Sequence, residues 1–204
     1  MPDSEGGGTA EKRLHSFATQ PGPDWNRESH GEWAGMKSYL GAGYAPYGLD
    51  KSHRGSLSGA ALDRIRLIAK HDVVFATGHL GRDEIFAVVR GARELGVRKV
   101  IVTHAEFPSQ NLSAAEQREL AKMGAMIEHC FTTMYTGKVS WEEAFIKIRE
   151  TGFEHSLLST DLGQSINPSV SDGSAMFEQR LLDANFTTDE IRRMAVTNSR
   201  ELAS

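Results

Sequence analysis

The second part of the chain, from about residue 57, alternates short apolar runs with longer segments in which apolar residues recur every three to four positions. The runs lie at residues 72–79, 99–104, 125–129 and 156–161, and the periodic segments at 60–70, 82–95, 113–124, 140–152, 172–184 and 188–203. Continuous apolar strands that alternate with amphipathic helices are typical of a parallel sheet covered by helices. The pattern predicts an α/β fold of parallel βα repeats, either a doubly wound sheet or a (β/α)8 barrel.

Three of the predicted helices begin with a capping box, in which a Ser or Thr and the Glu three positions later satisfy each other's backbone N–H groups. The boxes pair Ser113 with Glu116, Ser140 with Glu143, and Thr187 with Glu190. These pairs fix where the helices begin, and therefore where the preceding strands and loops must end.

The first 56 residues follow a different pattern. They contain no valine or isoleucine, although they hold 10 of the 20 glycines and 4 of the 6 prolines. Long regular elements are therefore not expected there, and no candidate strand precedes residue 72. Several large apolar side chains, among them Trp25 and Trp33, still predict packing against another surface. We accordingly divide the chain into an irregular segment, residues 1–56, and a βα-repeat domain, residues 57–204.

Charge and cysteine content exclude several classes of protein. The 204 residues carry 23 basic and 27 acidic side chains, a formal net charge of −4, which gives no electrostatic footprint for nucleic acid or an anionic membrane. The sequence shows neither an apolar run long enough for a membrane span nor a signal peptide. Cys130 is the single cysteine, which excludes an internal disulfide framework. We expect a cytoplasmic protein that acts on a small molecule.

A titratable residue follows each of the four predicted strands: His79, His104, His129 and Asp161. The carboxyl ends of parallel strands form the site-bearing edge of α/β folds. Imidazole and carboxylate groups are ligands for divalent Zn, Fe or Mn. We therefore predict that His79, His104 and Asp161 bind a metal and that Asp161 also takes a proton from water. For His129 a ligand, an acid–base group and a structural residue remain open alternatives.

Polar residues in the loops after two of these strands are candidates for substrate binding. They are Glu106, Gln110, Gln164 and Asn167. Loops at this edge of a parallel sheet commonly carry binding groups, although such residues are also often simply solvated. Cys130 is expected to be an inert apolar side chain rather than a nucleophile.

Four short motifs surround the ends of the predicted strands: TGHL at 77–80, VTHAEFP at 102–108, IEHC at 127–130 and LSTDLGQSINP at 158–168. Together they resemble a branch of the amidohydrolase superfamily whose members look like phosphotriesterase-type metal-dependent hydrolases. The resemblance implies the C-terminal half of a TIM-like (β/α)8 barrel. It also implies that His79 and His104 are the fifth- and sixth-strand ligands, that Asp161 is the eighth-strand carboxylate and general base, and that His129 ends strand seven.

The sequence departs from this family pattern in its first half. It contains no His-x-His pair, and the first three and a half βα units of the barrel are missing. The chain is accordingly expected to be a fragment, one subunit of a split barrel completed by another polypeptide, or a homo-oligomer. A half barrel leaves open strand edges and an uncovered apolar face, which favour association.

The predicted activity is hydrolysis of an amide, ester, lactone or phosphoester by metal-activated water. One alternative is a catalytically incompetent subunit that acts as a binding partner. The other is a metal-dependent lyase or decarboxylase on the same fold.

Overall fold

The computed structural model describes residues 14–16 and 57–204, and in this part of the chain the elements alternate as the sequence predicts. The strands are β1 (Leu14–Ser16), β2 (Val74–Ala76), β3 (Val100–Val102), β4 (Ala125–Cys130) and β5 (Ser156–Ser159). They pair in the order β1-β2-β3-β4-β5, and every pair is parallel. The prediction of an α/β fold with parallel βα repeats is confirmed.

Helices connect the strands and follow the last of them. They are α1 (Gly59–His71), α2 (Arg82–Glu94), α3 (Ala114–Lys122), α4 (Phe131–Tyr135), α5 (Trp141–Thr151), α6 (Val170–Asp183), α7 (Thr188–Arg192) and α8 (Asn198–Ala203). A 3-10 turn, Phe153–His155, precedes β5, and a π-helix, Arg193–Thr197, joins α7 to α8.

Two of the three predicted capping boxes are present in full, at α3 and α7. At α5 the box is one-sided. The Ser140 hydroxyl accepts the Glu143 backbone N–H at 3.1 Å, but Glu143 Oε1 lies 2.8 Å from Lys147 Nζ, one helical turn later. Glu143 therefore forms an ion pair with Lys147 instead of accepting the Ser140 backbone N–H, as the capping box would require.

The structure corrects the prediction that no strand precedes residue 72. Leu14–Ser16 forms β1, and its backbone pairs in parallel with Val74–Ala76 of β2. A strand of three residues needs only an extended backbone and a partner edge, so it leaves no recognisable apolar pattern. The rest of the 1–56 segment lies outside the described residues, and its boundary at residue 57 stays a prediction.

The two faces of the sheet differ in what covers them. One face packs against α1–α3 through a core that includes Phe75, Val100, Val102 and Ile127. A second core joins α4 to α7 and is rich in phenylalanine. On the opposite face the register aligns Ala76, Ile101 and Met126 in one row of half-buried side chains. Two residues further along each strand, this row opens into a polar cavity.

Candidate metal centre

A cavity of about 320 Å³ lies at the carboxyl ends of β2–β5, the edge at which the sequence places the site. Most of its lining residues have polar side chains. The lining comprises Gly78, His79, Thr103, His104, Glu128, Cys130, Ser159, Thr160 and Asp161. All four described strands that the sequence analysis identified contribute to it. The cavity therefore brings together residues up to 83 positions apart in the chain.

Two of the predicted ligands meet directly in this cavity. The Nε2 atoms of His79 and His104 are 3.3 Å apart, and their ring centroids are 4.3 Å apart. Two imidazoles bound to one tetrahedral zinc, each at about 2.0–2.1 Å, also place their nitrogen atoms about 3.3 Å apart. The two nitrogen atoms are therefore separated by the distance expected for two imidazoles on one divalent cation.

Local backbone geometry aims both rings at this point. Gly78, directly before His79, has φ 64°, and His104 itself has φ 31°, so the chain turns sharply where β2 and β3 end. A non-glycine residue rarely adopts such an angle, and surrounding contacts must maintain it. Thr77 and Thr103 provide two of these contacts. The Thr77 hydroxyl accepts the Thr103 backbone N–H at 3.1 Å, and the Thr103 hydroxyl accepts the Gly78 backbone N–H at 3.0 Å.

Burial keeps the two imidazoles neutral. Burial is the main cause that lowers the pKa of His79, although the charge of Asp161 opposes the shift. Burial and then the neighbouring His79 lower the pKa of His104 to about 4. A neutral imidazole is the form that binds a metal ion. Both rings are consequently in the ligand form near neutral pH.

This low pKa predicts a pH dependence of stability. The unfolded chain protonates His104 near its ordinary pKa of 6.5, whereas the folded chain resists protonation down to about 4, so stability falls as the pH decreases through this interval. We expect the metal-free protein to lose about 2 kcal/mol of unfolding free energy between pH 7 and pH 5. Urea unfolding at both pH values measures this loss. His104→Gln should reduce it, and an unchanged loss in that variant would contradict the assignment.

Asp161 lines the same cavity but is exposed. Its backbone has φ 51°, and its Oδ2 accepts the Thr132 hydroxyl at 3.1 Å. Within residues 14–16 and 57–204, no three His, Cys, Asp or Glu side chains are arranged to hold one metal ion. The structure thus brings His79 and His104 together and places Asp161 nearby, without completing a three-ligand set.

His129 does not face the cavity. It is fully buried on the helix-covered face of β4, where Nδ1 lies 2.8 Å from Glu106 Oε1 and Nε2 lies 3.1 Å from the Ser156 hydroxyl. Of the three alternatives left open for His129, this placement favours the structural residue over the metal ligand and the acid–base group. Side chains alternate between the faces of a strand, so it is its neighbours Glu128 and Cys130 that line the cavity.

Glu106 is likewise part of a buried network rather than an open loop. Its Oε1 accepts the Gln117 side-chain N–H at 2.9 Å in addition to its contact with His129, and Gln117 Oε1 accepts the Thr151 hydroxyl at 2.9 Å. Burial would raise the pKa of Glu106, but the facing His129 and the hydrogen bonds from His129 and Gln117 outweigh it and lower that pKa. The network joins the β3–α3 loop to β4 and α5.

The remaining predicted substrate-binding residues lie in two different surroundings. Gln110 is buried near the cavity, where its side-chain N–H donates to the Gly78 carbonyl at 3.3 Å. Gln164 and Asn167 lie in the loop after β5 and bond each other, with Asn167 Nδ2 donating to Gln164 Oε1 at 2.8 Å. Their roles towards a substrate stay predictions.

Two residues at or beside the cavity, Glu128 and Lys138, were not predicted from the sequence. Glu128 lines the cavity, and the alternation of side chains along β4 was the signal that could have found it. Lys138 lies 5.3 Å from the centre of the Phe107 ring, which itself packs against both imidazoles. Burial lowers the pKa of Lys138, and the charge of Asp161 opposes the shift. No sequence signal pointed to Lys138, because its place at the site depends on the loop after α4.

No helix in the described part of the chain is both long enough and apolar enough to cross a membrane.

The fold is similar to those of a solved metallopeptidase and a solved amidohydrolase. The dipeptidase AC, a metallopeptidase of family M19, matches with a TM-score of 0.56 at 16% identity, covering 72% of this chain and 47% of that chain. An amidohydrolase from Burkholderia multivorans with bound HEPES matches with a TM-score of 0.52 at 10% identity, covering 72% and 58%. At such identities the likeness shows the fold, and the chain spans about half the length of these structures.

The sequence comparisons give the family. A search of the curated proteins finds no match. The model of a family of unknown function, DUF6282, matches residues 26–128, just over half of the chain. The matched region runs from before β2 into β4 and contains His79 and His104 but not Asp161. The chain therefore belongs to the DUF6282 family.

Proposed function

We propose that the chain is a metal-dependent hydrolase domain of the amidohydrolase type, in which His79 and His104 bind one divalent cation. The observation that carries the proposal is the 3.3 Å separation of their Nε2 atoms in a polar cavity at the carboxyl edge of the sheet. Zinc, iron and manganese all accept imidazole and carboxylate ligands. The substrate would be a small molecule with an amide, ester, lactone or phosphoester bond.

The charges around the cavity support a cation. Glu128 and Asp161 both line it, and burial together with the nearby charge of Asp161 raises the pKa of Glu128. Two carboxylates beside two neutral imidazoles form an electron-rich set without a positive charge among the cavity-lining residues. Such a set favours a divalent cation over an anion.

Each residue of the proposed site has a separate task. A bound cation would polarise the scissile group and lower the pKa of a nearby water molecule. His79 and His104, neutral at the working pH, offer their Nε2 lone pairs. Asp161, exposed to solvent at the cavity, accepts the proton that the attacking water loses and returns it to the leaving group.

The expected result for Asp161→Asn is a loss of most of the hydrolytic activity, about a hundredfold or more, because an amide cannot accept the proton. The fold should survive, since Asp161 is exposed and an asparagine oxygen can still accept the Thr132 hydroxyl. Hydrolysis of a panel of esters, lactones, amides and phosphoesters, with added Zn²⁺ or Mn²⁺, measures the effect. Unchanged turnover in Asp161→Asn, with unchanged circular dichroism, would exclude this role.

A second candidate function is favoured by the incomplete ligand set. The described residues supply two imidazoles but no three-group arrangement for a metal, and the chain spans about half of each similar structure. On this alternative the chain is a subunit whose site is completed by a second copy or by a complementing polypeptide. Size-exclusion chromatography with light scattering, with and without Zn²⁺, distinguishes the two, because on the alternative the isolated chain does not bind zinc tightly as a monomer, whether a second copy or another polypeptide completes the site.

A further inference from the structure

Glu128 lines the cavity from β4, yet it belongs to neither the predicted metal ligands nor the predicted catalytic residues. The register of the sheet places it beside the end of β3, since Ile101 pairs with Met126 and Val102 with Ile127. Glu128 therefore lies next to the turn at which His104 leaves the sheet. Its side chain lines the same cavity as His79 and His104.

Two hydrogen bonds tie Glu128 to this turn. Its Oε2 accepts the backbone N–H of His104 at 3.1 Å, and its backbone carbonyl accepts the N–H of Ala105, also at 3.1 Å. Ser159 of β5 lines the same cavity, and its hydroxyl lies 3.1 Å from Cys130 Sγ, two residues after Glu128. Glu128 thus joins the turn after β3 to β4 at the cavity wall.

The turn needs such a contact because of its backbone conformation. His104 has φ 31°, a region that non-glycine residues adopt only when neighbouring groups hold them there. A hydrogen bond from a backbone N–H to a carboxylate is stronger than one to a neutral acceptor. Because the direction of the His104 side chain follows from this backbone angle, the bond to Glu128 also determines where the imidazole lies.

We propose that Glu128 is a positioning residue, which holds the His104 imidazole beside His79 by accepting the His104 backbone N–H. The role in metal binding rests on the proposed function, whereas the role in ring placement does not. Glu128 acts through His104 and is not itself assigned as a ligand or a general base. This contribution resembles that of outer groups in metal sites, which orient the ligands and raise affinity.

The test compares Glu128→Ala, Glu128→Gln and the control Glu119→Ala, an exposed residue on α3. Isothermal titration of the metal-free proteins with Zn²⁺ gives affinities. We expect Glu128→Ala to weaken zinc binding about tenfold to a hundredfold, and Glu128→Gln to weaken it less, since its amide oxygen can still accept the N–H. The control should bind as the unaltered chain does. Equal affinities in Glu128→Ala and the control, or equal losses in the two Glu128 variants, would overturn the proposal.

A second readout separates this proposal from the proposed function. Long-range ¹H–¹⁵N spectra of the metal-free proteins report the ring nitrogens of His79 and His104 directly. Glu128→Ala should shift the Nε2 signals of both rings, and the control should leave them unchanged. If the unaltered chain binds no Zn²⁺ but the signals shift as expected, the proposed function fails and the positioning role stands. If the signals do not move, the positioning role is wrong whatever the metal affinity.

Discussion

Replacing His104 by alanine is expected to lower the affinity for Zn²⁺ by more than about a hundredfold, the largest effect that we predict at the site. Losing a residue that only orients a metal ligand costs about tenfold to a hundredfold in metal affinity. His104 would itself be one of the two imidazole ligands, so its loss should cost more. His79→Ala should have a comparable effect, because the two Nε2 atoms lie 3.3 Å apart and would bind the same cation. Zinc titration of each variant measures the loss.

The matched control for these variants is His155→Ala. His155 is exposed in the 3-10 turn before β5, at the opposite end of the sheet from the cavity. It should bind Zn²⁺ with the affinity of the unaltered chain. If His104→Ala and His155→Ala bind zinc equally well, the two-imidazole site is wrong.

Replacing Glu106 by alanine is expected to give the largest loss of stability, about 3–5 kcal/mol in the free energy of unfolding. The substitution leaves the His129 ring and the Gln117 amide buried without the acceptor that they now share. A buried polar group that loses its partner is strongly destabilising. Urea unfolding at pH 7 measures the difference, and the exposed control Glu119→Ala should change stability by less than about 0.5 kcal/mol.

Two further measurements identify the cause of this loss. The double variant Glu106→Leu with His129→Leu removes both polar partners and should recover part of the stability. The pKa of Glu106 is lowered in the folded chain, so its contribution is present above the ordinary glutamate pKa of 4.5 and is lost as the pH falls through the folded value. The difference between the unaltered chain and Glu106→Ala should therefore shrink below pH 4.5. If the difference in unfolding free energy does not change with pH, the loss comes from the space left by the removed side chain and not from the charge of Glu106.

The regular elements after residue 57 follow from the sequence because each carries its own apolar period and its own boundary signals. Helix α3, for example, begins at the Ser113–Glu116 box as predicted. Helix α4 was missed, since Phe131 follows Cys130 of β4 directly and no Ser, Thr, Asp or Asn marks its start. β1 was missed because pairing with β2, rather than an apolar pattern, defines it.

The candidate site shows the limit of reading residues at strand ends. His79 and His104 were found because each lies just beyond a short strand, at the turn. The same rule misplaced His129, because β4 runs on to Cys130 and the residue is still inside the strand, facing the helices. Whether a residue lies within a strand or in the turn after it depends on where strand pairing ends. The neighbouring strand, rather than the local sequence, determines that point.

The contact between the two imidazoles has a consequence for how a cation would enter. A neutral ring carries one hydrogen, on either Nδ1 or Nε2, so a bond between the two Nε2 atoms requires one ring to carry its hydrogen on Nε2 and the other to offer a lone pair there. A shared cation needs a lone pair on both. One ring must therefore change tautomer, moving its hydrogen to Nδ1, and near neutral pH neither ring would release a proton to the solvent in doing so.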